Sequence, residues 1–167
     1  MADSVLKMKT DVENPETGLE HRKRLAGSLA ATLADTYLLL VKTQGYHWNV
    51  VGPLFVSLHR LTEAQYQNLF EAADDLAERI RALGHPAPSS ITEMISLTQI
   101  DEDTGKASAE EMVEHLVNDH EAIVRRLREV TIAAEELHDA VTAGMLTDRM
   151  QFHEQAVWML RAVIAGK

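Results

Sequence analysis

Four side chains of the types that bind metal ions are arranged symmetrically along one stretch of this sequence. They are His59, Glu63, Asp74 and Glu78, and 59 plus 78 equals 63 plus 74. The surrounding stretch, 54–83, contains neither proline nor glycine and is predicted to be one helix. Eleven residues, or roughly 16 Å of helical rise, separate Glu63 from Asp74. One copy of this helix therefore cannot close a single metal site.

A second, antiparallel copy of the helix would close the site. It would place His59 opposite Glu78 and Glu63 opposite Asp74, so that a two-fold axis near residue 68 creates two identical sites. All four residues fall within a stripe about 100° wide on the helix surface. The alternative is a surface pair of His59 with Glu63 and two ordinary solvated acids. His47, just before the helix, favours the metal site because it can add a second imidazole.

Two imidazoles and three carboxylates without sulfur are ligands that suit Fe(II), Mn(II) or Zn(II), and iron is the first choice. Without metal the crowded carboxylates would repel one another, whereas divalent ions neutralise them. Anionic oxygen ligands also stabilise Fe(III) more than Fe(II), because the ion of higher charge gains more from them. The ligand set therefore predicts ferroxidase chemistry, with zinc as a competitor at the same site.

Composition limits the classes of protein to which the chain can belong. Its 167 residues suit one domain, and 46% apolar residues with four prolines and no cysteine favour an all-α bundle without disulfides or thiolate sites. The net charge of −10 disfavours general affinity for nucleic acids, and five basic residues among the first 24 are matched by five acids. Neither a signal sequence nor an unbroken apolar run of ~18 residues is found, so no membrane association and a cytoplasmic location are expected.

Apolar periodicity predicts four long helices: from after the turn at 14–18 to about 49, then 54–83, 107–137 and 142–165. Ser108 and Glu111 fit a capping box at the start of the third. The connection from 84 to 106 is long enough for a crossover and could contain a short extra helix over 91–97. The predicted fold is an all-α four-helix bundle with that extra helix between helices two and three.

A set of residues in this chain resembles the Dps family, the mini-ferritins that protect DNA in starved cells. The resemblance is carried by His47, Trp48, Asn49, Gly52, Phe55, His59, Glu63, Tyr66, Asp74, Ala77, Glu78, Arg79 and Gly84. It implies a ferritin-like bundle in which His47, His59 and Glu63 of one subunit bind and oxidise iron together with Asp74 and Glu78 of its neighbour. Glu63 departs from the pattern, since Asp is commoner at this position.

The resemblance further implies a homo-oligomer, a hollow dodecamer that oxidises Fe(II), preferably with hydrogen peroxide, and stores a ferric mineral inside. The turn at 14–18 divides the chain into a predicted flexible N-terminal tail, 1–18, and a ferritin-like four-helix bundle domain, 19–167. Two other functions stay open: a DNA-compacting nucleoid protein with little ferroxidase turnover, and a passive zinc-binding bundle. Because the charges of the tail are balanced, DNA binding is expected to be weak or absent, although nucleoid association is kept as an alternative location.

Trp48, His153 and the pair of His115 with Asp119 each have more than one interpretation. Trp48 could shape the site beside His47 or give electrons to stray oxidants, or it could simply pack. His153 lies on the buried stripe of the fourth helix, where it is either an extra ligand that would favour zinc or a hydrogen-bonded core histidine. His115 and Asp119 form an i,i+4 pair, interpreted as a helix surface or a subunit contact.

Overall fold

The structure is a computed structural model that describes residue 15, residues 17–103 and residues 105–165. Within these ranges the chain forms five helices and no strand: α1 (Arg22–Asn49), α2 (Phe55–Ala82), α3 (Ile91–Leu97), α4 (Ala109–Glu136) and α5 (Ala140–Ile164). The four long helices and the short α3 confirm the predicted all-α bundle with one extra helix. Most of the predicted tail, 1–14 and residue 16, lies outside the described residues, so the boundary at 18 stays a prediction.

The helices pack as two antiparallel hairpins, α1 with α2 and α4 with α5. Side-chain pairs define the directions: Lys42 and Tyr46 of α1 meet Asp119 and His115 of α4 in reverse order. Because α2 and α4 both run antiparallel to α1, they are parallel to each other. The connection between them must therefore return along the bundle, which confirms the crossover.

Buried Asp35, in the middle of α1, fixes this crossover. Its Oδ1 accepts hydrogen bonds from the Thr98 hydroxyl and the Gln99 backbone N–H, both at 2.8 Å. The Arg126 guanidinium of α4 lies 3.1 Å from Oδ2. Burial raises the pKa of Asp35 despite these partners. One carboxylate thus ties the end of α3 to both α1 and α4.

Local signals in the sequence explain most helix boundaries. Gly84, at φ 87°, ends α2 in the left-handed conformation that glycine adopts most easily. The capping box of Ser108 and Glu111 begins α4 as predicted. The fourth long helix begins at Ala140 rather than at Thr142, because the Asp139 carboxylate accepts a hydrogen bond from the Thr142 backbone N–H and caps the helix.

The core consists of the apolar stripes expected from periodicity, including Leu29, Leu69, Leu76, Leu116 and Leu160, all at most 1% exposed. Among the described residues α1 alone is long and apolar enough to cross a membrane, with a mean hydropathy of 1.3 over 18 residues. Polar residues interrupt the apolar sequence of α1, so this helix contains no unbroken apolar run of that length although its average hydropathy is high. Since 61% of that window is buried inside the bundle, α1 is interpreted as its core helix.

Candidate metal centre

The turn between α1 and α2 brings His47 and His59 into direct contact. Their rings are stacked with centroids 3.9 Å apart and planes 14° from parallel. Nδ1 of His47 lies 2.8 Å from the carbonyl oxygen of His59, and Nδ1 of His59 lies 2.9 Å from the carbonyl oxygen of His47. The two residues, twelve apart in sequence, are therefore held by reciprocal hydrogen bonds.

These hydrogen bonds assign the tautomer of both rings. A carbonyl oxygen can only accept, so each Nδ1 must carry the proton that it donates. Each neutral ring then has its lone pair on Nε2, the state in which imidazole binds a metal ion. Backbone carbonyls commonly orient metal-binding histidines in this way. The α1–α2 hairpin thus prepares His47 and His59 as a pair of nitrogen ligands.

Aromatic side chains restrict the two rings further. Phe55 stacks against His59 with ring centroids 5.0 Å apart, and Tyr66 meets His47 edge-on at 5.2 Å. His47 is 8% exposed, and His59 is half-buried. Both rings therefore lie at the edge of the core rather than inside it, where an ion could reach their Nε2 atoms.

The three carboxylates of the predicted site, Glu63, Asp74 and Glu78, are all exposed along α2. Within one chain, and over the ranges that the structure describes, no three His, Asp or Glu side chains come close enough together to hold a metal ion. The pairing of these acids with the histidines of a second copy stays a prediction.

Phe70 lies on the same side of α2 as the predicted ligands. It is 67% exposed although it is a large apolar side chain, and it is two residues from the proposed axis near position 68. At the other end of this side, Phe55 is 42% exposed. The helix face that carries the acids therefore also carries apolar surface that the single chain does not bury.

The structure restricts the interpretations of Trp48 and His153 to different extents. Trp48 is 66% exposed and lines a cavity of about 360 Å³, so packing inside the chain does not account for it. His153 is 1% exposed, and its Nδ1 lies 2.7 Å from Nδ1 of His120, which is 0% exposed. His153 thus occupies the position of a hydrogen-bonded core histidine, and its role as an extra ligand stays a prediction.

Sequence reasoning missed two contacts beside the centre, both between α1 and α4. The Tyr46 hydroxyl lies 2.8 Å from Nδ1 of His115, and Lys42 Nζ lies 2.6 Å from Asp119 Oδ2. His115 and Asp119, interpreted as a surface or subunit contact, therefore belong to a contact within the chain. Burial, followed by the nearby carboxylates of Asp103 and Asp119, raises the pKa of Tyr46, so its phenol is protonated at neutral pH.

Comparisons with known proteins agree with this architecture. The family model described as a ferritin-like domain matches residues 27–166. An uncharacterized low temperature-induced protein of Nostoc sp. is 45% identical over 150 residues, which are 89% of this chain and 84% of that protein. A DNA protection during starvation protein of Helicobacter pylori is 32% identical over 133 residues, which are 79% of this chain and 92% of that protein.

A solved structure also has the fold of this chain. A DPS protein from Vibrio cholerae O1 is described as a member of a broad superfamily of ferritin-like diiron-carboxylate proteins. It matches with a TM-score of 0.81 and 31% sequence identity, over 84% of this chain and 89% of that chain.

Proposed function

This chain belongs to the Dps family of ferritin-like proteins, and we propose that it oxidises Fe(II) at sites shared between two subunits and stores the ferric product. Each site consists of His47, His59 and Glu63 of one subunit with Asp74 and Glu78 of the other. Iron is the substrate and the stored material. Zinc competes for the same nitrogen and oxygen ligands.

The observation that carries this proposal is the reciprocal hydrogen bonding of His47 and His59. A packing role would not require both Nδ1 atoms to be committed to backbone carbonyls while both Nε2 atoms keep their lone pairs. That arrangement has the donor atoms and the tautomers that a metal ion needs, and it lies beside the first carboxylate of the stripe, Glu63, one helical turn after His59.

The exposed face of α2 supports a shared site. Asp74 and Glu78 lie eleven or more residues beyond Glu63, too far along one helix to join the histidines of their own chain. Exposed apolar side chains on the same face, above all Phe70, gain from burial against another protein surface. An antiparallel second copy of α2 would cover Phe70 and bring the acids to the histidine pair in one step.

The chemistry follows from the charges of the ligands. Three carboxylates per site neutralise the added charge when Fe(II) becomes Fe(III), which favours oxidation. With hydrogen peroxide as the oxidant, two Fe(II) ions give two electrons to one peroxide molecule. The O–O bond breaks, and two protons complete two molecules of water. This stoichiometry removes both reagents that would otherwise produce hydroxyl radicals.

Storage requires a closed assembly, and we extend the proposal to a hollow dodecamer in the cytoplasm. The net charge of −10 per chain would attract Fe(II) to such a shell and would repel the phosphates of DNA. DNA binding is therefore proposed to be weak or absent. Native mass spectrometry with metal analysis measures the number of subunits and the ions bound per chain.

The direct test is anaerobic loading of the metal-free protein with Fe(II), followed by hydrogen peroxide. We expect ferric absorbance to form with one peroxide consumed per two Fe(II), and prior loading with Zn(II) to prevent it. Binding of Fe(II) without ferric product would favour the passive zinc-binding bundle. Absence of Fe(II) turnover together with tight, salt-sensitive retardation of DNA in a gel would favour the nucleoid protein.

A further inference from the structure

Three helices bring polar side chains into the interior of the bundle without satisfying their hydrogen bonds. Gln65 of α2, His120 of α4 and Arg149 of α5 together bury five side-chain nitrogen or oxygen atoms that have no hydrogen-bond partner among the described residues. Gln65 is 4% exposed, and His120 is 0% exposed. Buried polar atoms of native proteins are almost always paired with protein, water or an ion. This interior polar cluster therefore requires a further hydrogen-bonding partner.

Contacts across the bundle place the members of the cluster in one layer. The guanidinium carbon of Arg149 lies 4.4 Å from the ring centroid of Phe152, and the ring centroid of His120 lies 6.1 Å from the same point. Nη1 of Arg149 donates to Oδ1 of Asn68 at 2.7 Å. Gln65 lies about one helical turn before Asn68 on α2. The cluster therefore lies where the α1–α2 hairpin meets the α4–α5 hairpin.

Most of the groups that need a partner are hydrogen-bond donors. Because Nη1 pairs with Asn68, Arg149 has its Nε–H and both Nη2–H groups left. The Gln65 amide adds two N–H donors and one acceptor oxygen. Nε2 of His120 is a further donor in one tautomer, in which its Nδ1 accepts from Nδ1 of His153. The partner must therefore accept several hydrogen bonds at once.

The charge of the cluster decides which kind of acceptor fits. Arg149 forms no ion pair with a carboxylate in the part of the chain that the structure describes. Burial lowers the pKa of Arg149 to about 10, although the charge of Asp75 acts in the opposite direction. The guanidinium is thus still charged at neutral pH. It would repel a metal cation, and water would leave its charge unneutralised, whereas an anion satisfies both the charge and the donors.

We propose that the interior polar cluster binds one small monovalent inorganic anion, such as chloride or nitrate, on the free Nε–Nη2 edge of Arg149. Two parallel N–H groups on this edge are the arrangement with which arginine binds anions bidentately. The Gln65 amide N–H and the Nε2–H of His120 complete the site. The bound ion ties α2 to α4 and α5, and it is independent of ferroxidase activity.

Bromide is the probe in crystals of the whole protein, because its anomalous scattering distinguishes it from water. We expect an anomalous peak within hydrogen-bonding distance of Nε and Nη2 of Arg149. The peak should be absent from crystals of Arg149→Met. Bromide on the protein surface only, or an ordered water on the Nε–Nη2 edge, would overturn the proposal.

Thermal unfolding tests the same site in solution. Sodium chloride replaces sodium gluconate at constant ionic strength, so a small anion replaces a large one without a change in screening. An ion that binds only the folded protein raises the unfolding temperature, and Arg149→Met should lose this rise. Arg128→Met is the matched control, because it removes an arginine that is 62% exposed and paired with Glu154. It should keep the rise.

A second variant keeps the inference testable if Arg149→Met does not fold. Gln65→Met preserves the length of the side chain and removes the amide, so it should weaken chloride binding at least about threefold. The chloride concentration that gives half of the rise measures this change. No rise in the wild type, equal rises in Arg149→Met and Arg128→Met, or unchanged affinity in Gln65→Met would contradict the anion site. Fe(II) turnover, which tests the proposed function, is unaffected by any of these results.

Discussion

The chain contains two contacting histidine pairs, and they differ in what their Nδ1 atoms bind. His47 and His59 each direct Nδ1 to a backbone carbonyl of the other residue, at the edge of the core. His120 and His153 direct Nδ1 to each other, at 2.7 Å, and are at most 1% exposed. Burial lowers the pKa of His120 to about 3 and that of His153 well below its ordinary value.

This difference separates a ligand pair from a packing pair. In the interior pair one imidazole must donate and the other accept, so the contact satisfies the two Nδ1 atoms with each other, while Nε2 of His120 is buried without a hydrogen-bond partner among the described residues. In the edge pair the backbone satisfies both Nδ1 atoms, and the Nε2 atoms are left for a ligand. Spacing alone does not distinguish the two, since each histidine lies on a helix face. The hydrogen-bond acceptor distinguishes them.

The largest expected effect is on iron oxidation by the edge pair. His59→Ala should slow formation of ferric product at least about 100-fold, because it removes one ligand and the ring stacked on His47, while the backbone carbonyl that orients His47 stays. His120→Asn is the matched change in the interior pair and should keep the rate within about threefold, since the lost core contact is with His153 and involves none of the five predicted ligands. Stopped-flow absorbance after peroxide addition measures both rates. Equal losses in the two variants would erase the distinction.

The order should reverse for stability. His120→Ala is expected to reduce the free energy of unfolding by about 2–4 kcal/mol, because it leaves a cavity and a buried His153 Nδ1 without its partner. His59→Ala removes a half-exposed ring and should cost less than about 1.5 kcal/mol. Urea unfolding of the metal-free proteins measures both values. A larger loss for His59→Ala would mean that the edge pair holds the fold rather than a metal.

The interior pair should also make the protein sensitive to acid. Unfolded histidines titrate near 6.5, whereas the folded pair has lowered pKa values, so below pH 6.5 the unfolded chain binds protons that the folded chain does not. By pH 5 the free energy of unfolding should fall by about 2 kcal/mol for each such histidine, with no contribution above pH 7. The double variant His120→Asn, His153→Asn should have a flatter profile between pH 7 and pH 5 in urea unfolding. A slope equal to that of the wild type would assign the acid sensitivity to other groups.

The smallest effect concerns the edge site itself. Glu63→Asp, which restores the commoner residue of the family resemblance, shortens one ligand by a methylene and should change the affinity for Fe(II) by less than about tenfold. Glu63→Gln keeps the length and removes the charge, so it should weaken binding more. Anaerobic titration calorimetry ranks the two variants. If Glu63→Asp bound Fe(II) more weakly than Glu63→Gln, the length of the side chain would matter more than its charge at this position.

Much of the fold could be predicted because its signals are local. Gly84, the Ser108 capping box and the apolar stripes each lie within one helix, and the structure confirms them. The proximity of His47 and His59 could also be predicted, because one tight turn joins the two helix ends that carry them. The contacts that could not be predicted join side chains of different helices across the bundle. His120 meets His153 only because α4 and α5 pack antiparallel.

The crossover explains why the other long-range contacts could not be predicted from the sequence. Tyr46 and His115 are 69 positions apart, and Asp35 meets Gln99 over 64 positions. Such contacts depend on how the connection between α2 and α4 returns along the bundle, and no local pattern encodes that path. His120 did leave a signal, since it continues the buried face of Met112, Leu116 and Ile123 in the same way that His153 continues the face of α5.

The central claim is that two subunits complete each site together, and mixing defective subunits tests it most directly. One subunit carries His47→Ala and His59→Ala, and the other carries Asp74→Asn and Glu78→Gln. Each alone should be inactive. In mixed two-fold pairs one site receives all its ligands from intact halves, so random pairing should restore about a quarter of wild-type ferroxidase activity.

The matched control mixes the histidine variant with Glu63→Gln, whose changes belong to the same half of the site. The ferroxidase activity of this mixture should not exceed that of its two parent proteins, because no pairing of these subunits assembles an intact site. Recovery in the first mixture without recovery in the second is the result that the shared centre predicts. No recovery in the first mixture, or equal recovery in both, would contradict it.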